Sequence, residues 1–185
     1  MSFIRWAGRR QFPLRILVPM FYERVLTALA NARVRFVVVG GVAVVLHGYL
    51  RMTQDVDLVI DLDRENVIAA LDVLTGLGLR PLVPVDPHDF ADPEKRRDWI
   101  ENRSMKVFSV RDWKDPFLSV DLFVREPVPY VDLEKRAVPM DVAGKKVLVA
   151  AIDDLVAMKR EAGRAVDLLD IEKLENIARK HPDDE

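Results

Sequence analysis

The sequence predicts an α/β (α+β) chain: a mixed β-sheet flanked by helices, with a helical pair at the C-terminal end. Three observations carry this. FVVV at 36–39 and, apart from Asp57, VDLVI at 56–60 are short apolar runs, as central strands covered on both faces should be. Segments with apolar residues at helical spacing alternate with them. The last stretch, from 152 onward, is helical in pattern and broken only near Gly163. Half of the 185 residues are hydrophobic, which suffices for one core.

Taken in order, residues 1–17 read as an irregular N-terminal arm, with Pro13 and Pro19 marking its end. A core over 18–150 follows, and 151–185 form a helical segment packed on it. Phe21, Val25, Leu26 and Leu29 give a helix over 20–31 one apolar face. Residues 35–39 form a buried strand ended by Gly40 and Gly41, and a helix over 42–50 closes near Gly48. A second strand, 56–60, comes after the polar stretch 51–55. Asp63 is placed to cap a helix over 64–77. Residues 81–95 hold four prolines and read as a loop long enough to be an active-site flap. A short helix over 94–101 precedes strands at 104–110 and 117–124, joined by a turn at 111–116. A hairpin (136–142 and 146–150) turns at Ala143-Gly144, and helices 152–161 and 165–180 end the chain.

Composition removes several functions. A net charge of −2 and a pI near 6.0 leave no general nucleic-acid footprint. The absence of cysteine excludes disulfides, thiolate metal sites and a cysteine nucleophile. His47, His88 and His181 lie too far apart in sequence for a histidine-rich zinc site. The most apolar segment, 36–50, is too short to span a bilayer, and Arg15 interrupts the apolar part of the N-terminus. The expectation is a cytoplasmic protein with no membrane role.

The chemistry concentrates in one segment, VVVGGVAVVLHGYLRMTQDVDLVID. Side chains alternate along a strand, so Asp55 and Asp57 point to one face. Two carboxylates on one face suit a hard divalent cation such as Mg²⁺ or Mn²⁺. Gly40 and Gly41 let backbone approach a phosphate closely. In LSVDLFV, Asp121 lies on the opposite face from Leu118, Val120, Leu122 and Val124. If that strand pairs beside the Asp55/Asp57 strand, three carboxylates meet.

The order Gly-Gly, short helix, Arg51-x-Thr53-x-Asp55-x-Asp57 resembles the nucleotidyltransferase superfamily related to DNA polymerase β. The closer likeness is to small prokaryotic members that include the abortive-infection type toxins. Ala43, His47 and Gly48 share the match, Asp121 fits its third acidic motif, and Lys159, Arg164, Asp167 and Asp170 fit its C-terminal helical motif. The likeness covers roughly 20–178 and implies the nucleotidyltransferase fold. It implies transfer of a nucleoside monophosphate from an NTP to an acceptor hydroxyl. Asp55, Asp57 and Asp121 would bind the metal and act in catalysis; Gly40, Gly41, Arg51, Thr53, Lys159 and Arg164 would bind the nucleotide. The acceptor stays open between a tRNA end, a protein side chain and a small molecule, and a cognate antitoxin is an implied partner. The superfamily often has Gly-Ser where this chain has Gly40-Gly41. That keeps a second reading in play: a catalytically inactive nucleotide- or partner-binding module.

Blander roles stand beside these. His47 fits a packed helix position, and Lys159 and Arg164 fit a solvated helix face. Asp167 and Asp170 fit surface ion pairs of little energetic weight. Trp6, Trp99 and Trp113 show no spacing that suggests base stacking. A dehalogenase-type Asp-x-Asp is rejected because the pair opens its strand, a calcium loop because its glycine and final Glu are missing, and no Walker A sequence occurs.

Overall fold

The computed structural model describes residues 3–5, 11–13, 20–114 and 118–180. Within the arm, β1 (Phe3–Arg5) and β2 (Gln11–Pro13) pair antiparallel, so these residues are not irregular as expected. The arm's end at Pro19, residues 115–117 of the predicted turn and strand, and 181–185 lie outside the described residues.

The main sheet has seven strands: β3 (Phe36–Val39), β4 (Asp55–Ile60), β5 (Arg80–Pro81), β6 (Val107–Arg111), β7 (Ser119–Phe123), β8 (Val138–Val142) and β9 (Lys145–Val149). Their spatial order is β5-β6-β7-β4-β3-β9-β8. β4 is parallel to β7 and β3 to β9, while the other neighbours are antiparallel. The two apolar runs are therefore central. Every residue of β3 is buried, as are Val56 and Leu58 to Ile60 of β4.

The helices are α1 (Met20–Asn31), α2 (Gly40–Leu46), α3 (Arg64–Gly76), α4 (Pro93–Arg103), α5 (Tyr130–Arg136), α6 (Ile152–Ala162) and α7 (Ala165–Lys180). Asp63 caps α3 as expected, accepting from the N–H groups of Glu65 and Asn66. Asn66, 5 % exposed, ties α3 to the sheet. Its amide donates to the carbonyls of Arg35 at 3.0 Å and Asp61 at 2.8 Å, and its oxygen accepts from the Arg35 N–H at 2.7 Å. Truncation would leave buried backbone groups unpaired, so Asn66→Ala should cost about 3 kcal/mol in a denaturant melt. A loss under about 0.5 kcal/mol would remove this role from the side chain.

Three expectations are corrected. The glycine pair does not merely end β3. It forms the first residues of α2, with Gly40 at φ +63°. The proline-rich 81–95 segment is not a free flap. Pro87 opens a 3₁₀ turn (Pro87–Ala91) and Pro93 opens α4, where a missing N–H costs nothing. Phe90 of that turn is fully buried, stacking on Phe108 of β6 at 5.0 Å, while Trp99 of α4 stacks on Phe108 at 5.6 Å. Helix α5, between the segments read as strand and hairpin, was not predicted. It is a seven-residue turn begun after Pro129 and pinned by buried Tyr130 and Leu133.

Candidate active site

Parallel pairing of β4 with β7 sets Asp57 beside Asp121 and Asp55 beside Ser119. Register partners on neighbouring strands point to one face, so the three carboxylates share it. One oxygen from each of Asp55, Asp57 and Asp121 lies within 4.8 Å of the others. Burial first, then the charges of Asp55 and Asp121, pushes the Asp57 carboxyl up to about 7. Burial raises Asp121 as well, against a hydrogen bond from Ser109 on β6. The cluster is thus held under mutual repulsion that a cation would relieve. Three hard oxygen donors on two adjacent strands fit Mg²⁺ or Mn²⁺.

The glycine pair packs on this cluster. A Cβ at Gly40 would run into the Asp57 carboxylate, so only glycine fits there, and the positive φ points the same way. The Gly41 backbone N–H acts on Asp57 against the burial, favouring its charged form. Gly41 lacks a side chain for a different reason. A Cβ there would strike the Thr53 hydroxyl and lie 2.9 Å from Arg51 Nη2. The Thr53 hydroxyl, which sits 3.3 Å from Asp55 Oδ1, occupies the place a serine at 41 would need. The loop is fixed from below, because Tyr22 of α1 donates to the Thr53 carbonyl at 2.6 Å. Burial, aided by the charge of Asp55, pushes the Tyr22 phenol up to about 12 and keeps it a donor. Gly41→Ser should therefore lower Tm and weaken nucleotide binding, and adding Thr53→Ala should restore both. Thermal melts and nucleotide titrations check this; a single variant as stable and as tight as the wild type would refute the clash.

The C-terminal pair reaches the same place. Lys159 of α6 is 4 % exposed, and Asp167 and Asp170 of α7 are fully buried. The Lys159 ammonium donates to Asp167 Oδ1 at 3.0 Å and Asp170 Oδ2 at 2.6 Å. Asp170 Oδ2 also accepts from Arg51 Nη2 at 2.9 Å, while Arg51 Nε sits 2.8 Å from Oδ1 without hydrogen-bond alignment. Arg164 Nε donates to Asp167 Oδ2 at 2.8 Å. Burial acts to raise Asp167, but hydrogen bonds from Arg164 and Lys159 outweigh it and hold the carboxyl below its usual value. A surface pairing of Asp167 and Asp170 is overturned: both are core charges. Arg164 stays mostly exposed and feels the charges of Asp57 and Asp55.

His47 is 5 % exposed and its Nε2 lies 2.8 Å from the Ala150 carbonyl, so it joins α2 to the end of β9. Tyr22 and Ser109 were missed in the sequence. A lone tyrosine on an amphipathic helix reads as core, and Ser109 acquires meaning only when β6 pairs with β7.

The model of a family described as nucleotidyl transferase AbiEii toxin, type IV toxin–antitoxin system, matches residues 24–182. The chain belongs to the AbiEii nucleotidyltransferase toxin family. A search of curated proteins finds no match. Solved structures with this fold include ANT(2″)-Ia in complex with adenylyl-2″-tobramycin. It is 13 % identical with TM-score 0.54, over 91 % of this chain and 97 % of that one. A Thermotoga maritima protein assigned to the nucleotidyltransferases is 16 % identical with TM-score 0.53, over 89 % and 99 %. An antigenic nucleotidyltransferase-like protein of Paracoccidioides brasiliensis is 17 % identical with TM-score 0.54, over 85 % and 77 %. At these identities the likeness is one of fold, and the nucleotidyltransferase fold expected from the Gly-Gly and Asp-x-Asp order is the one observed. No helix among the described residues is long and apolar enough to cross a membrane.

Proposed function

We propose that this AbiEii family member transfers a nucleoside monophosphate from an NTP to an acceptor hydroxyl. The observation that carries the proposal is the convergence of Asp55, Asp57 and Asp121 within 4.8 Å, beside a glycine turn that only glycine fits. Asp55, Asp57 and Asp121 would hold Mg²⁺ or Mn²⁺. A metal held by these three residues would supply charge neutralisation for the triphosphate and a lowered pKa for the attacking hydroxyl. The acceptor oxygen forms a bond to the α-phosphorus while the bond to the bridging oxygen breaks, and pyrophosphate leaves. Asp121 would share the metal and help activate the hydroxyl. The backbone of Gly40 and Gly41 would seat the phosphates. Arg164, exposed and close enough to feel the carboxylates, would meet the polyphosphate. Thr53 orients Asp55, and Arg51 braces the loop from Asp170. Lys159 supports that brace rather than touching nucleotide, since both its carboxylate partners are buried with it. Catalysis of this kind is mostly positioning and charge neutralisation. Family membership supports an antitoxin partner and action in the cytoplasm.

The test is incubation with labelled NTPs, Mg²⁺ or Mn²⁺, and candidate RNA, protein and small-molecule acceptors. Label transfer that disappears in Asp55→Ala and Asp57→Ala is the expected result. Metal-dependent NTP binding with no transfer to any acceptor would instead make the protein a binding module.

A further inference from the structure

On the carboxylate face, the alternate residues of β6 and β7 form a strip that is partly exposed among the described residues. Val107, Ser109, Arg111, Ser119, Asp121 and Phe123 are half-buried, while Phe108, Val110, Val120 and Leu122 between them are buried on the other face. The strip runs away from the metal-binding carboxylates on the side opposite the glycine turn, since β3 and α2 flank β4 on one side and β7 and β6 on the other. Register puts Arg111 beside Ser119, and Ser119 beside Asp55. Arg111 thus stands two strand spacings, about 10 Å, from Asp55 on the same face.

Two features of Arg111 are unexplained by packing. Its Nε is buried without a hydrogen-bond partner among the described residues. Its guanidinium carbon lies 4.8 Å from the centre of the Trp113 ring, and Trp113 is 61 % exposed. A tryptophan over a guanidinium pre-orients the cation and presents a flat apolar surface. A guanidinium with an unpartnered buried Nε, steadied by an aromatic ring, suits a phosphate-type anion.

We infer that Arg111 and Trp113 form the acceptor subsite and select an acceptor that carries a phosphate next to its reacting hydroxyl. The inference rests on the reading of the carboxylates given above. In-line transfer puts the entering hydroxyl opposite the departing pyrophosphate. With the polyphosphate at the glycine turn, the acceptor enters along the β7–β6 strip, past Asp121. Arg111 lies in register with Ser119, and Ser119 with Asp55, so it flanks that entry path on the carboxylate face. A polycationic acceptor would meet Arg111 head-on, which separates this strip from a site for an aminoglycoside such as the tobramycin held by ANT(2″)-Ia.

The test uses the full chain with Mg²⁺ and an NTP analogue that cannot transfer, titrated with acceptor probes. The probes are a short single-stranded oligonucleotide with a free 3′ hydroxyl, glycerol 3-phosphate, and tobramycin as the cationic comparator. At least one phosphate probe should bind, and which one does identifies the source of the phosphate. Arg111→Ala should weaken that probe about tenfold or more, Arg111→Lys should recover part of it, and Trp113→Ala should weaken it as well. NTP affinity should stay unchanged in all three variants, which shows them folded. Wild-type affinity in Arg111→Ala, tighter binding of tobramycin than of either phosphate probe, or binding of neither phosphate probe overturns the inference. Failure of the wild type to bind the NTP analogue with metal is seen before any probe is added; it removes the carboxylate reading and this inference together.

Discussion

Asp57→Asn should abolish metal-dependent NTP binding and reduce transfer on the order of a thousandfold or more, while leaving the fold intact. Asp57 is central to the cluster: it stands in register with Asp121, and Gly40 packs against its carboxylate. Asparagine keeps the shape and removes the charge. Without metal the same change should not destabilise. Asp57 is raised to about 7, above its unfolded value of 3.8, because burial and two like charges oppose its ionisation. A group raised on folding contributes stability that is full below the unfolded pKa and lost as pH rises through the folded one. In a chelator, wild-type Tm should therefore fall from this source as pH rises between about 4 and 7, and Asp57→Asn should flatten that part of the profile. Metal titration by calorimetry and melts across that pH range check both halves. An Asp57→Asn protein that still binds metal–NTP with wild-type affinity ends the metal assignment.

Lys159→Met should have the largest effect on stability. The ammonium is the shared donor of two fully buried carboxylates, and methionine would leave both under-compensated in the core. Breaking a buried pair by removing one partner costs about 3–5 kcal/mol. For a chain of this length that is roughly 10 °C or more in Tm. Because Asp170 also holds Arg51, the loss should spread to the loop over Gly41 and raise the KM for NTP. Combined with Asp170→Asn, the two losses should fall short of their sum by about 1–3 kcal/mol, since each breaks the same contact. A Tm within about 2 °C of wild type would show that water, not the two aspartates, solvates Lys159.

Much of this was legible in the chain. The central strands announced themselves as apolar runs, and α1, α6 and α7 as periodic segments, because hydrophobic spacing is a local property. Asp55 and Asp57 were legible as a same-face pair because strand alternation is also local. Misreadings occurred where a residue's meaning depends on what it meets. The prolines at 87 and 93 read as loop punctuation, but each occupies a helix start where a buried aromatic holds the segment down. Gly41 read as a missing serine, yet Thr53 folds back over it from twelve residues later in the chain.

By itself, then, the sequence determined the mixed sheet, its two central strands and the face on which two of the three acids stand. Those follow from backbone periodicity and burial preference, which act within a few residues. Only the tertiary structure decided that β7 runs parallel to β4 and delivers Asp121, that Lys159, Asp167 and Asp170 are core charges, and that Arg111 lies on the carboxylate face. Each depends on strands and helices far apart in sequence being brought together. An ionised side chain reads as solvent-facing until packing supplies the partner that lets it be buried.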